Sequence, residues 1–261
     1  MDRPGWIGLL ERSASEAGFR LTEEQMRAFR VFRDELLSWN TRINLTSLTE
    51  DEDVVIKHFV DSLLCLRGLE PGGGQERDGV AGGHPGWSSL VDVGSGGGFP
   101  GIPLAIVRPR ARVWLLESVR KKCEFLESVV RALGLEAAVV WKRAEDAGRD
   151  PSLREMFDAV VSRAVAAMPV LAEYCLPLCR VGGVVVAMKG PEGGPEADHA
   201  QEAIGALGGR ISRVDEYELP WGMGKRSLVV IDKVRAVPGR YPRKAGIPAK
   251  KPLGGICERV T

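Results

Sequence analysis

The chain is short of what several protein classes require. Histidine occurs 3 times and cysteine 5 times in 261 residues. The cysteines (Cys65, Cys123, Cys175, Cys179 and Cys257) are odd in number and form no C-x-x-C pair. That spacing argues against a structural zinc site or a disulfide framework, and no metal site is expected. Cys175 and Cys179 lie four apart on a stretch that reads as helix, with no second pair nearby. Small buried thiols in a reducing compartment are the expectation. No apolar run approaches the roughly 18 residues of a membrane span. Met1–Leu10 shows no basic stretch followed by an apolar one, so no export signal is expected and the location is read as cytoplasmic. Charge of one sign is also missing overall, since the formal net charge is +1.

What is present has an order. Thr22 opens T-E-E-Q, a capping box with Gln25 at its third helical position. Met26, Phe29, Phe32, Leu36 and Trp39 follow at steps of three and four, which predicts an amphipathic helix. Thr49 with Glu52 repeats the box, and Ile56, Phe59, Leu63 and Leu66 draw a second stripe. Residues 1–69 are therefore expected to form a helical extension. Residues 70–89 hold seven glycines and two prolines and have little to bury, so they are read as a flexible insertion.

From Leu90 the rhythm becomes strand, turn, helix. Short apolar runs fall at Leu90–Val93, Val113–Leu116, Ala138–Trp141, Ala159–Val161, Val184–Met188 and Leu228–Ile231. Phe125, Leu126, Val129, Val130 and Leu133 mark a helix that Gly134 stops. Such alternation predicts a doubly wound, mostly parallel α/β sheet over residues 90–234. Ligands of such sheets sit beyond the carboxyl ends of the strands. Residues 235–261 carry seven basic side chains against the single acid Glu258, in a Pro- and Gly-containing tail. That tail is either a solvated end or an arm for a polyanion.

The most informative stretch is Val91–Gly101, where Asp92, Gly94, Gly96 and Gly98 are spaced D-x-G-x-G-x-G. Glycines let the turn tighten and approach a ligand closely. A pyrophosphate over a helix N-terminus would be repelled by Asp92, whereas a cationic nucleoside such as S-adenosylmethionine would not. Glu117 ends the second run, where a carboxylate accepts both ribose hydroxyls. Ala144 at the end of the third run leaves room for adenine, and either Glu145 or Asp146 could meet the ring's amino edge.

These segments together carry a resemblance. Trp39-Asn40, Asn44-Leu45-Thr46, His58-x-x-Asp61-Ser62, Val91–Gly101, Ser162-Arg163-Ala164, Lys189-Gly190 and Tyr241-Pro242-Arg243-Lys244-Ala245-Gly246 resemble the RsmG (GidB) family. The likeness runs from about Leu21 into the tail. It implies a class I (Rossmann-like) methyltransferase fold using S-adenosylmethionine. It also implies action on N7 of one guanine in the 530 loop of 16S ribosomal RNA. Cofactor contacts are implied at Gly94, Phe99, Glu117, Ser118, Val119, Ala144, Glu145 and Arg163. With Asp92, Gly96 and Gly98 from the loop itself, these make up the expected cofactor site.

The chemistry is compatible with that implication. Guanine N7 carries a free lone pair and no proton, so its alkylation needs no general base. Alignment is then the main source of rate. No Cys after Pro and no Asn/Asp-Pro-Pro-aromatic run follows the fourth strand, where nucleophilic or amino-group chemistry would place them. Ser162-Arg163-Ala164 stands there instead. A guanidinium cannot take up a proton, so Arg163 is expected to bind guanine O6, a phosphate or the cofactor carboxylate. The bland alternative for Arg163 is an ion pair with Asp92 or Glu117. Lys189 is the second candidate catalytic residue, as a phosphate or base contact or simply a solvated strand end. RNA contacts are expected at Arg42, Arg240, Arg243, Lys244, Lys250 and Lys251, extended by Lys57 and Arg120-Lys121-Lys122. His58 and Asp61 are expected to hydrogen-bond structurally and tie the helices to the sheet, with Asn40 and Asn44 shaping the preceding turn. A nicotinamide oxidoreductase, a non-enzymatic RNA-binding protein and a small-molecule methyltransferase are the rival readings of the same crevice.

Overall fold

The computed structural model describes residues 5–70 and 87–254. Most of the Gly-rich segment and the last seven residues, Cys257 and Glu258 among them, lie outside the described residues. Among the described residues, five α-helices precede the sheet: α1 (Trp6–Glu16), α2 (Glu23–Asn40), α3 (Asp51–Asp53), α4 (Asp61–Leu64) and α5 (Leu66–Leu69). A π-helical turn, Val54–Val60, joins α3 to α4. Thr22 caps α2 through the expected box, its hydroxyl accepting from the Gln25 N–H and its own N–H donating to the Gln25 side chain. The second box does not form: α3 starts after Glu50 without a side-chain cap. There the N-terminal carboxylates Asp51, Glu52 and Asp53 favour the helix dipole instead. α1 had no sequence signal, because Gly5 precedes it and caps nothing.

The sheet has seven strands: β1 (Ser89–Val93), β2 (Arg112–Glu117), β3 (Ala137–Trp141), β4 (Phe157–Arg163), β5 (Cys179–Lys189), β6 (Gly209–Glu218) and β7 (Lys225–Lys233). Their spatial order is β3-β2-β1-β4-β5-β7-β6, with β7 antiparallel to both neighbours and the rest parallel. Helices α6 (Gly101–Val107), α7 (Arg120–Leu133), α8 (Ala144–Ala147), α9 (Met168–Cys175) and α10 (Gly193–Ala206) connect the strands, and α11 (Ile247–Lys250) follows. Cys179 opens β5 rather than extending the helix of Cys175, because α9 ends at Cys175. The four cysteines among the described residues are buried and unpaired.

Two cores explain the continuous apolar runs. Leu90, Leu115, Val161, Val186 and Val230 face one core with the N-terminal helices, α6 and α7. Their chain neighbours Val91, Leu116, Val160, Val185 and Val229 face the other, with α9 and α10. Successive strand side chains point to opposite faces, so a sheet covered twice needs apolar residues at every step.

As far as Gly254 the tail is tied to the domain, while its side chains Arg240, Lys244, Lys250 and Lys251 stay exposed. Val237 and Tyr241 are buried. Arg154 donates to the carbonyls of Val237 and Tyr241, and Arg149 to that of Pro242. Arg243 clamps Glu173, which is 0% exposed, with Nη2 to Oε2 at 2.6 Å and Nε to Oε1 at 2.9 Å. Removing one partner of a buried pair strands the other charge. Arg243→Ala should therefore cost about 3–5 kcal/mol in urea-induced unfolding. A loss below about 1 kcal/mol would mark the pair as a surface one.

Candidate functional site

β1 and β4 are neighbours, yet the chain leaves β1 toward β2 and returns to β4 from the far side. The carboxyl ends of these two strands therefore border the crevice where strand order reverses. The glycine turn fills the mouth of that crevice. Gly94, Gly96 and Gly98 have φ of 75°, 54° and 88°, which L side chains adopt only under strain. A Cβ at Gly94 would lie 2.5 Å from Val165 Cγ2, so this glycine lets the turn after β1 seat against the turn after β4. Gly96 faces open space, with nothing nearer its Cβ position than the Gly94 carbonyl at 3.7 Å.

Two carboxylates brace the turn. Glu117 at the end of β2 accepts from Gly96 N–H at 3.0 Å and from the N–H groups of Ser118 and Val119 at 2.7 and 2.8 Å. Its Oε2, with that one donor from Gly96, keeps lone-pair capacity for a further donor. Asp92 is 0% exposed, and its Oδ2 accepts from Gly101 N–H at 3.0 Å. Its Oδ1 is buried with no partner. Burial pushes the Asp92 carboxyl up to about 7.

Arg163 ends β4 and is the hub. Its Nη1 donates to the Lys57 carbonyl at 2.9 Å and to Asp61 Oδ2 at 3.2 Å. Its Nη2 lies 3.0 Å from His58 Nδ1, and its guanidinium sits 4.9 Å from the Phe99 ring centre. The alternative of an ion pair with Asp92 or Glu117 does not occur; the carboxylate that Arg163 meets is Asp61, on the helical layer. His58 and Asp61 are not bonded to each other as expected. Each binds Arg163, and this joins the helices to the sheet. Because Arg163 donates to Nδ1, the His58 proton resides on Nε2 and is given to Thr46 Oγ1 at 2.7 Å. Burial, then the neighbouring Arg163 charge, pushes the imidazole down to about 3, so it is neutral. Asn40 accepts from the N–H groups of Leu45 and Thr46 and sets the turn that carries Thr46.

Ala164 follows with φ of 56°, a strained conformation for alanine. It turns the chain beside a cavity of about 360 Å³ lined by Lys57, His58, Asp61, Arg163, Lys189, Glu196 and Arg226, among others. Lys189 ends β5, is 10% exposed, donates to the Ala166 carbonyl and pairs with Glu196 at 2.7 Å. It is therefore not a solvated strand end. Tyr217 on β6 donates to Asp61 Oδ1 at 2.8 Å. Burial and the Asp61 charge hold its phenol protonated far above the ordinary range.

The remaining expected residues divide. Phe99 is buried, stacked on His58 at 4.4 Å and packed against Phe32. Ser118 and Val119 are exposed at the rim. Glu145 points inward, accepting from Gly246 N–H at 2.8 Å, while Asp146 is exposed and Ala144 half-buried. Arg42, Arg240, Lys244, Lys250 and Lys251 are exposed, whereas Arg243 is committed to Glu173. Tyr217, Arg226 and Glu196 had no motif to announce them. No group of three or more potential metal ligands occurs among the described residues, and no helix there could cross a membrane.

A glycine turn braced by two acids at the switch point of this strand order defines a class I methyltransferase, and comparison with known proteins agrees. Residues 25–220 match the family model GidB, described as rRNA small subunit methyltransferase G. A protein named ribosomal RNA small subunit methyltransferase G from Pelotomaculum thermopropionicum is 46% identical, over 94% of this chain and 97% of its own. One of the same name from Symbiobacterium thermophilum is 45% identical, over 97% and 100%. Among solved structures, cofactor-bound Rv0187 from MTB superposes with a TM-score of 0.53 at 17% identity, covering 89% of this chain and 99% of that one. The chain belongs to the GidB family.

Asp92 gives a stability prediction. Its carboxyl is raised in the fold above the ordinary 3.8, so the folded state holds a proton that the unfolded chain releases. The contribution is full below about pH 4 and is lost as pH rises through 7. Asp92→Asn should therefore gain on the order of 2–3 kcal/mol relative to the unsubstituted protein between pH 5 and pH 8. Unfolding curves of the two proteins that keep a constant separation over that range would refute the assignment.

Proposed function

We propose that the protein transfers a methyl group from S-adenosylmethionine to N7 of a guanine in the 530 loop of 16S ribosomal RNA. The crevice carries the proposal: an acid-braced glycine turn stands beside a cavity lined by Lys57, Arg163, Lys189 and Arg226, whose histidine is held neutral.

The residues present fit the cofactor. The unpartnered Asp92 Oδ1 is a buried acceptor awaiting a donor, and ligand binding that supplies one removes an unfavourable term. Gly94 and Gly98 shape the turn, and Gly96 leaves its outer side open. Glu117 would hold the ribose hydroxyls. The side chain of Val119 (47% exposed) would cover one face of the adenine. Ser118, Ala144 and Glu145 would border its edge, with Phe99 fixing the base of the turn. When bound, the cofactor supplies an electrophilic methyl group on a sulfonium.

The protein's own part is to bind and align. His58 is neutral and hydrogen-bonded at both nitrogens, and Tyr217 keeps its proton, so neither competes for one. An unprotonated ring nitrogen needs no base, which matches such a cavity. Arg163 and Lys189, at the ends of adjacent strands, would orient the base or its phosphate for in-line attack. In folded RNA, N7 faces a groove too narrow for side chains, so the target base must be splayed out. Arg42, Arg240, Lys244, Lys250 and Lys251 would follow the phosphates. Arg243 serves by anchoring the segment that carries four of these residues, all but Arg42.

Transfer of a labelled methyl group to small-subunit RNA, with mapping of the acceptor atom, tests this. Label on an exocyclic nitrogen or a ribose oxygen would overturn it. Arg163→Lys keeps a cation but loses the fork that spans Lys57, His58 and Asp61. It should fold and lose on the order of 100-fold in kcat/KM. A near-normal rate would remove Arg163 from alignment.

A further inference from the structure

We infer that Glu196 is the specificity residue that reads the Watson–Crick edge of the target guanine; this rests on the function proposed above. The cavity beside Arg163 contains two carboxylates, and they are not equivalent. Asp61 has a side chain only 4% exposed. Its Oδ1 takes the Tyr217 hydroxyl, and its Oδ2 takes Arg163 and faces Arg226 at 4.0 Å. It is consumed by the scaffold. Glu196 is 34% exposed. Its Oε2 receives Met168 N–H at 3.1 Å and Lys189 Nζ at 2.7 Å. Its Oε1 has no hydrogen-bond partner among the described residues.

The backbone is arranged to bring Glu196 there. It lies on the first turn of α10, and that turn is pressed against β7. A Cβ at Gly193 would fall 1.9 Å from Ser227 Oγ, so only glycine permits this approach. Ser227 in turn donates to the Gly190 carbonyl at 2.8 Å, tying the start of the helix to the end of β5. One carboxylate is thus held rigidly by its Oε2 side while the other oxygen stays available.

The chemistry of this lining selects among bases. Guanine offers two donors on adjacent atoms, N1–H and the N2 amino group, and an acceptor at O6. A carboxylate accepts donors and gives none. The cations Lys57, Arg163 and Arg226 supply donors for O6. Adenine presents an acceptor at N1 and has no amino group at C2, so it would place a lone pair against Glu196. A site built around a hydrogen-bonded group rejects an analogue lacking it, because its own buried partner is left unsatisfied.

The test uses small-subunit RNA carrying either guanosine or inosine at the acceptor position, free and assembled into particles. Inosine keeps N7, O6 and N1–H and lacks only the N2 amino group. The unsubstituted enzyme should prefer guanosine over inosine by on the order of 10- to 100-fold in kcat/KM. Glu196→Gln should lose most of that preference, falling on both bases through N1–H but further on guanosine, which alone carries the N2 amino group. Cofactor affinity should stay unchanged. Because the readout is a ratio, any general weakening through Lys189 or Met168 divides out, and Glu196→Ala provides a second variant with the same expectation. Equal losses on both bases, or no guanosine preference in the unsubstituted enzyme, would overturn the assignment to Glu196 alone. Transfer by the unsubstituted enzyme to a base other than guanine would overturn the proposed function, and this inference with it.

Discussion

A guanidinium with only 15% of its side chain exposed must be neutralised where it stands, and that requirement organises this molecule. Arg163 takes a carboxylate from α4, and a carbonyl and an imidazole from the π-helical turn before it. None of these partners belongs to the sheet on which Arg163 sits. The helical layer is therefore a functional part of the site and not a decoration. Without it, a charge at the end of β4 would have no counterion. The π-helical segment has a packing role as well: its Phe59 lies against Phe29 and Phe32 of α2. Widened helical turns of this kind recur at functional sites.

The same hub explains why Phe99 is in the glycine turn. Its ring is packed between the His58 imidazole and Phe32, with the Arg163 guanidinium over it. Loop, helices and strand end thus meet through one aromatic residue. The two acids beneath the turn play different parts because their surroundings differ. Glu117 accepts from three backbone N–H donors. Asp92 receives one backbone donor to Oδ2 and nothing to Oδ1, in a fully dry position. Its charge is unfavourable there, and its carboxyl is raised to about 7.

Legibility in the sequence followed local signals. The parallel strands β1 to β5 and the glycine turn could be read because two covered faces force continuous apolar runs, and a tight turn forces glycine. β6 could not. It is an edge strand with polar residues outward, and its register against β7 shifts between Ile211 and Arg213. That irregularity breaks the two-residue alternation, leaving Ile211, Val214 and Tyr217 at steps of three, a spacing foreign to a strand. Tyr217 was lost from view with it. The tail misled for another reason. Composition reports charge and not what the charge faces, and Glu173, the partner of Arg243, is 70 residues distant in sequence. For Arg163 the sequence offered Asp92 and Glu117, the acids of the neighbouring strands, as the alternative partners, and gave no sign of Asp61. Long-range ion pairs have no sequence spacing to betray them.

The titratable groups around the cavity point in one direction when taken together. His58 is kept neutral, Tyr217 is kept protonated, and Asp61 is ringed by donors. General acid–base catalysis wants the reverse, a group poised near the working pH and free to move its proton. The one carboxyl raised to about 7, Asp92, lies beneath the glycine turn and does not line the cavity. Glu196 is the cavity carboxylate with an oxygen to spare, and its other oxygen is held by Met168 N–H and Lys189. The proposed acceptor, an unprotonated ring nitrogen, would ask none of these groups to take a proton. In that proposal the network around Arg163 would supply alignment rather than proton transfer, holding the strand end and the helical layer in one geometry.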